Sequence, residues 1–461
     1  MHEDTVAAII TRLGPSGVGI VRISGAEAII VADRLFAAKN KQPLSGRPGY
    51  SITYGYVKDR NGNRIDEALA MLMRAPHSFT GEDVVELQCH GGSVVLRTVL
   101  ERALQEGARM AEAGEFSRRA FLNGRIDLSQ AEAIMDIISA KTELALSTAA
   151  ENLAGDLKVT ICAWREKILE LTALLEAELD FPEEDIEFID RANLSASLEE
   201  LIIQIQKMLD SYRSGRIIRE GIKTVLIGRP NVGKSSILNM ILNSERAIVT
   251  EIPGTTRDTI EESYDLDGIP LVLIDTAGLR QTNDKAEQIG VERTRAEIPK
   301  ADLVLYVLDI TEEITSEDIE IMKQIPPEKL IVLINKHDLR EEIAHAREAS
   351  EAETLKNRLY FSAKTGTGLA ELKERIREMS GSERFAENEG QLLTNVRHKE
   401  AMSRALEALK NAAGANRRSG EALELLSIDM RQAWTALGEI TGETLEEEII
   451  DQIFARFCIG K

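Results

Sequence analysis

The sequence predicts a multidomain chain that joins α/β to all-α structure: an N-terminal α/β domain, a central helical domain, and a P-loop α/β domain inserted into the helical one. Three observations carry this. The stretch Gly228-Arg229-Pro230-Asn231-Val232-Gly233-Lys234-Ser235 fits the phosphate-loop pattern G-x-x-x-x-G-K-S/T between a strand-like and a helix-like run. Apolar residues at helical spacing lie on both sides of that region. Before residue 120, short strand and helix patterns alternate between glycine and proline turns. At 461 residues, two or three hydrophobic cores are expected rather than one.

In the N-terminal part, Val18–Ile23, Ala68–Met73 and Asp83–Gln88 read as strands, and Ala26–Leu35 and Gly92–Glu106 as helices. Turns fall at Gly14-Pro15, Gly46–Gly49 and Ala75-Pro76. Near Asp127 the character changes, and no proline occurs from His77 to Phe181. Ala131, Ile134, Met135 and Ile138 follow i, i+3, i+4, i+7, and Trp164, Ile168, Leu171 and Leu175 form a similar packing stripe. Pro182 and Glu183-Glu184-Asp185 end that segment, and a helix near Leu194–Tyr212 leads into the P-loop region. Beyond it, Met402, Ala405, Leu406 and Leu409, then Leu423, Leu426, Met430, Ala433, Trp434 and Leu437, restore the helical period, with no proline after Pro327. Helices flanking residues 216–380 are therefore expected to pack together around an inserted domain. The expected division is 1–119, 120–215, 216–380 and 381–461.

Composition narrows the class. Hydrophobic residues at 43% and charged residues at 29% suit a globular chain, and no run of 18 apolar residues exists to span a membrane. Early acidic residues and the lack of a basic n-region argue against a secretory signal. Cys89, Cys162 and Cys458 have neither metal nor disulfide spacing, so a reducing cytoplasm is expected. The net charge of −21 argues against a general nucleic-acid binder. An RNA partner would have to meet a local basic patch or come through another protein.

The motif chemistry is more specific. Gly228 and Gly233 let the loop curl so that its N–H groups, with those of Asn231, Val232, Ser235 and Ser236 nearby, face phosphates at a helix N-terminus. Lys234 would neutralise the β and γ phosphates, and the Ser235 hydroxyl would reach Mg²⁺. The stretch Thr250-Glu251-Ile252-Pro253-Gly254-Thr255-Thr256 occupies the place of a switch loop, with Thr256 the candidate second hydroxyl on Mg²⁺. A buried strand, Leu271–Ile274, ends in Asp275-Thr276-Ala277-Gly278, where Asp275 would hold the Mg²⁺ shell and the Gly278 N–H would sense the γ-phosphate. Another strand ends in Asn335-Lys336-His337-Asp338, the pattern N-K-x-D. Asp338 can accept two hydrogen bonds from guanine N1–H and its 2-amino group, which adenine does not offer. Ser362-Ala363-Lys364 follows a further strand and suits a backbone contact to guanine O6. Together these predict a Ras-like G domain that binds GTP. Leu279 stands where such domains place a water-orienting glutamine, so catalysis must draw on another polar group; Asp284, Lys285, Glu287 and Gln288 are nearby.

Other stretches extend the comparison across nearly the whole chain. Gly17–Gly25, Ser78-Phe79-Thr80-Gly81-Glu82-Asp83, Glu86–Gly92, Gly114-Glu115-Phe116-Ser117, Arg119–Arg125, Asp275–Arg280 and the tail Phe457-Cys458-Ile459-Gly460-Lys461 resemble the MnmE (TrmE) family of tRNA modification GTPases. The resemblance implies a cytoplasmic homodimer, with no membrane association, whose N-terminal domain is folate-binding-like and dimerising. It implies 5-formyl- or methylene-tetrahydrofolate held by Arg22, Glu86, Arg125 and Lys461, and it departs from many relatives, which carry lysine at position 125. It implies G domains that dimerise across the nucleotide, with K⁺ in place of an arginine finger, held by Asn231, Thr250, Ile252 and Thr255. Glu287 corresponds to the catalytic glutamate, acting with Lys234 and Thr256, while Arg257 takes a structural or interface role; the resemblance leaves Cys458 open between a small residue beside the folate site and a catalytic thiol. The implied activity is K⁺-dependent GTP hydrolysis. With the FAD-containing partner MnmG, as a heterotetramer, it would add an aminomethyl or carboxymethylaminomethyl group at C5 of the wobble uridine of certain tRNAs. The rival expectations are a GTPase switch that binds ribosomal particles, and a folate-dependent methyltransferase with a GTPase insert.

Overall fold

The computed structural model describes residues 4–180, 190–244, 247–248, 262–266, 268–274, 298–339, 357–380, 391–417 and 423–460. They belong to two compact units, one of Met1–Met135, Asn152–Leu169 and Trp434–Lys461, the other of Asp136–Glu151 and Glu170–Ala433.

The first unit is built on β1 (Val6–Ile9), β2 (Gly19–Ser24), α1 (Ala28–Leu35), β3 (Phe36–Ala38), β4 (Ser51–Lys58), β5 (Arg64–Met73), β6 (Val84–Cys89), α2 (Ser93–Gln105), β7 (Arg109–Met110) and α3 (Glu115–Leu122). The strands form one sheet in the order β3-β4-β5-β6-β2-β1-β7, antiparallel except for the β1–β7 pair. Strand alternation decides its faces. Val21, Ile23, Val57, Leu72, Val85 and Leu87 are buried in one core with Val31 and Leu35 of α1 and Leu96 and Val99 of α2. Each such burial stabilises by about 1.5–3 kcal/mol. The other face carries Arg22, Ile52, Tyr54, Glu86 and Gln88.

Three helices follow, α4 (Leu128–Ser139), α5 (Glu143–Ala154) and α6 (Asp156–Asp180). Leu128 and Ala131 join Ile450, Phe454 and Phe457 in a core that draws the end of the chain back to the first unit. There Gly114, at φ 68, donates its N–H to the Cys458 carbonyl at 3.3 Å, and Ala113 bridges to Ile459. Gly114 has no room for a side chain, since a Cβ would lie 2.3 Å from the Phe454 carbonyl oxygen.

The second unit holds α7 (Arg191–Asp210), α8 (Tyr212–Glu220), β8 (Ile222–Ile227), α9 (Lys234–Ser244), β9 (Ala247–Ile248), β10 (Glu262–Leu266), β11 (Ile269–Leu273), β12 (Leu303–Asp309), α10 (Ser316–Gln324), β13 (Leu330–Asn335), β14 (Arg358–Tyr360), α11 (Leu369–Ser380) and α12 (Val396–Asn416), and α13 (Leu423–Thr441) is divided between the two units at Ala433. Its sheet runs β14-β13-β12-β8-β11-β10-β9, parallel from β14 to β11 and antiparallel at β10 and β9. Cores on both faces explain the unbroken apolar runs of β12 and β13. The chain enters and leaves this α/β domain at one place. Asn416 of α12 donates to Ser195 of α7 at 2.9 Å, and the Leu393 N–H donates to Ser211 at 3.1 Å. The flanking helices do pack together, and the G domain is an insertion.

Several expectations are adjusted. The helix near Leu194–Tyr212 is two helices meeting at Ser211. Ile138, placed on a packing stripe, is exposed, while Trp164, Ile168, Leu171 and Leu175 are all buried. Strands β1, β4 and β12 are not expected from the sequence. The first is four residues long, Gly55 interrupts the second, and a short apolar run like the third has no period that separates strand from helix.

Candidate active site

The P-loop leaves the carboxyl end of β8, between β11 and β12, and α9 begins at Lys234. Its curl depends on left-handed backbone, with Asn231 at φ 66 and Gly233 at φ 98. A Cβ at Gly233 would lie 2.2 Å from the Asn335 side-chain nitrogen, so the loop and β13 meet closely there. The Lys234 ammonium donates to the carbonyls of Gly228 at 2.8 Å and Arg229 at 2.7 Å. It is held inside the ring of backbone that would receive phosphates. Val232 is buried, and Ser235 and Ser236 open to solvent at the helix start.

The segments that carry N-K-x-D and Ser362-Ala363-Lys364 meet the loop through Asn335. Its amide nitrogen donates to the Val232 carbonyl at 2.7 Å, and its amide oxygen accepts from the Ala363 N–H at 3.1 Å. Lys336, at φ 61, forms a 2.5 Å ion pair with Asp309 at the end of β12. Burial would raise the Asp309 carboxyl, but Lys336 and the two bonds from Thr311 leave it below its ordinary value. Asp338 lies exposed; Ser362 donates to one of its oxygens at 2.7 Å, and Lys364 stands 3.8 Å from the other. The Ser362 bond, with Lys364 nearby, lowers the Asp338 pKa, so this carboxylate is ionised and acceptor-only at neutral pH. The structure thus brings Asn231, Val232, Gly233, Lys234, Asn335, Lys336, Asp338, Ser362, Ala363 and Lys364 to one edge of the sheet. Thr250–Thr256, Arg257, Asp275–Gly278, Leu279, Glu287 and Lys461 lie outside the described residues.

Asp309 and Asp318 belong to none of the sequence motifs. In the sequence Asp309 follows an apolar run, as Asp275 follows another, and that pattern is its signal. Asp318, 2% exposed, accepts from Tyr306 at 2.8 Å and caps α10 with Thr315. Arg229 of the P-loop lies 3.3 Å from it and 3.0 Å from Glu312, which anchors the loop from below.

In the first unit, Arg22 and Glu86 stand opposite one another on β2 and β6 and form an ion pair at 2.8 Å, both nearly buried. The Arg22 guanidinium lies between the Phe79 and Phe116 rings, at 4.9 and 5.2 Å. Arg125 donates through Nε to the Ser78 carbonyl at 3.2 Å and is otherwise exposed. The Ser78 hydroxyl is buried without a hydrogen-bond partner. Asn123 donates to the Thr80 carbonyl at 2.7 Å, and Arg119, 2% exposed, reaches Glu82 at 3.1 Å. The loop carrying Phe79 is therefore clipped at three points by α3 and the residues after it. Gly460 of the tail packs against Ile9 and Ile10, where a Cβ would lie 2.7 Å from the Ile9 carbonyl oxygen.

Two family models match the chain: the GTP-binding protein TrmE N-terminus over residues 5–125, and the MnmE helical domain over residues 128–458. The tRNA modification GTPase MnmE of Symbiobacterium thermophilum is 50% identical over 464 residues, covering all of both chains. That of Carboxydothermus hydrogenoformans is 45% identical over 462 residues, again covering both completely. Among solved structures, the G domain of the T. maritima FeoB iron transporter is 28% identical, covering 34% of this chain and 98% of its own, with a TM-score of 0.25. An Aquifex aeolicus Era variant bound to GDP and aluminium fluoride is 26% identical, covering 41% and 66%, with a TM-score of 0.26.

Proposed function

This chain belongs to the MnmE family of tRNA modification GTPases, and from that premise we propose how its residues divide the work. The observation that carries the nucleotide assignment is the Asn335 bridge, which joins the phosphate loop to the guanine-recognition segment in one rigid edge. Asn231 through Ser236 would cradle the phosphates, Lys234 leaving its carbonyl partners to meet them. Asp338 would read the guanine edge, with Ser362, Ala363 and Lys364 closing over the base. Thr250–Thr256 and Asp275–Gly278 would act as the switch segments.

The chemistry of the donor set fits a divalent and a monovalent cation. Ser235 and Thr256 offer hydroxyls to Mg²⁺, and Asn231, Thr250, Ile252 and Thr255 offer oxygens to K⁺. When bound, these ions would offset the charge that develops on the phosphates. Asn231 adopts left-handed backbone at φ 66, a conformation that asparagine tolerates better than most residues. Glu287 would orient the attacking water in place of the glutamine that Leu279 replaces.

For the N-terminal domain the reading is a site for 5-formyl- or methylene-tetrahydrofolate at Arg22, Glu86, Arg125 and Lys461. The partnerless Ser78 hydroxyl, the two rings beside Arg22 and the free end of the Arg125 guanidinium support it. A homodimer, the FAD-dependent partner MnmG, a C5-aminomethyl product on the wobble uridine of tRNA, and the division 1–119, 120–215, 216–380 and 381–461 complete the reading. Cys89, Cys162 and Cys458 are all free thiols, and among the described residues no helix is long and apolar enough to cross a membrane. The thiols support a cytoplasmic setting.

The test is mass spectrometry of tRNA nucleosides from cells lacking this protein, complemented with wild type or Glu287→Ala. Loss of C5-aminomethyl wobble uridines, restored only by wild type, is the expected result. Unchanged nucleosides would overturn the reading in favour of a ribosome-binding switch. GTP turnover should also rise steeply when K⁺ replaces Na⁺ and lose that dependence in Asn231→Ala.

A further inference from the structure

We propose that Asp309 is a positioning residue for guanine-nucleotide binding. It fixes the Lys336 ammonium at the end of β12, so that the lysine stem forms a stationary edge for the base between the phosphate loop and Asp338. The proposal rests on the nucleotide reading of that site. Asp309 and Lys336 are tied at 2.5 Å. The Asp309 carboxylate is closed off from solvent, while 36% of the Lys336 side chain is exposed. A shielded acid that holds a partly open cation leaves one side of the pair for a ligand. With the ammonium drawn to a buried oxygen, the methylene stem is apolar surface of a kind that a flat base can pack against.

Backbone and neighbours fix each partner. Asp309 and Asn335 are register partners at the ends of β12 and β13, and the Ile310 N–H donates to the Asn335 carbonyl at 3.0 Å. The next residue, Lys336, turns into left-handed backbone at φ 61. A residue with a Cβ keeps that conformation only where its surroundings impose it. The side chain that leaves this turn crosses from β13 to β12 and ends on Asp309. On the other side, the Thr311 N–H and hydroxyl donate to one Asp309 oxygen at 2.9 and 2.7 Å, which leaves the second oxygen for the ammonium.

The anchor is also fixed relative to the phosphates. Val307, just before Asp309 on β12, lies so close to Gly228 that a Cβ there would come 2.4 Å from the Val307 carbonyl oxygen. One strand end therefore supports the start of the phosphate loop and holds the lysine. Lys336 in turn lies between Asn335, which bonds to Val232 of that loop, and the exposed Asp338. A lysine free to sample its rotamers would lose that freedom when a nucleotide docks. One already pinned does not, so the pair lowers the entropic cost of binding. A buried ion pair is seldom worth more to stability than apolar residues of the same volume. Position is what this one contributes.

The experiment follows steady-state GTP turnover, and the dissociation of fluorescent N-methylanthraniloyl-GDP, in the full-length protein. Asp309→Asn keeps the acceptor for Thr311 and removes the charge that holds Lys336. It is expected to raise KM and to speed GDP dissociation about tenfold each, with kcat within about twofold of wild type. Lys336→Ala should speed dissociation at least as much, and the double variant no further than Lys336→Ala alone, since both remove one interaction. Thr311→Val takes one bond from the same carboxylate and should raise KM about threefold at unchanged kcat; it decides the matter if Asp309→Asn does not fold. Unmoved KM and dissociation in these variants, or multiplying effects in the double variant, overturn the proposal. So does a lower kcat and melting temperature with KM unchanged, which would leave the pair purely structural. Wild-type protein that binds no GDP would overturn the nucleotide reading itself, so the two fail separately.

Discussion

The Asn335 amide donates to the Val232 carbonyl at 2.7 Å across 103 residues of sequence, which ties the end of β13 to the crest of the phosphate loop. The same side chain accepts from Ala363, so three segments share one buried amide. Asn335→Ala leaves the buried Val232 carbonyl and the half-buried Ala363 N–H without this partner. A loss of about 2–4 kcal/mol is expected, together with weaker GTP binding. Urea unfolding of the free protein measures the first and nucleotide titration the second. Loss of nucleotide affinity at unchanged stability would show that the bridge is not structural.

Asp338 is exposed, ionised and restricted to accepting hydrogen bonds. Asp338→Asn replaces one acceptor with a donor and no longer complements the guanine N1–H and 2-amino edge. GTP affinity should fall by more than tenfold, and xanthosine triphosphate, with a carbonyl in place of the 2-amino group, should gain. Equal loss for both nucleotides would count against Asp338 as the base reader.

Arg22 is held by Glu86 on one side and two rings on the others. Glu86→Ala leaves that cation nearly buried and unpaired, with an expected cost of about 1–3 kcal/mol. Glu86→Gln keeps one hydrogen bond and should cost less, yet lose binding of 5-formyl-tetrahydrofolate in calorimetry. Retained binding in Glu86→Gln would reduce the pair to a purely structural ion pair.

His90 and Asp66 make a pH prediction. The His90 ring nitrogen lies 2.7 Å from the Asp66 carboxylate, whose hydrogen bond and charge raise the His90 pKa above 6.5. A raised folded value means a stabilising contribution that is full below pH 6.5 and lost as pH climbs through the folded pKa. Asp66→Asn should return the His90 titration, followed by NMR, to about 6.5 and remove that slope from stability against pH. An unmoved titration would exclude Asp66 as the cause.

Much of this protein is readable from local pattern. Gly228 through Ser235 carries its chemistry in eight contiguous residues, and N-K-x-D does so in four, because the backbone turn and the reactive groups are encoded together. The helical stripe from Trp164 to Leu175 reports burial through its periodicity, and β8 from Val225, β11, and β13 up to Ile334 report it as unbroken apolar runs. The order of these segments is enough to place a G domain between two helical segments. Pairing is a different matter. A period of two says which face Ile52 or Glu86 occupies, but not which strand lies beside it. Only the folded sheet sets Ile52, Met71, Glu86 and Arg22 in one row, brings Gly460 against Ile9, and closes Asn335 onto Val232. Those contacts join residues tens to hundreds of positions apart, and their partners are chosen by the packing of whole elements, which no local window of sequence contains.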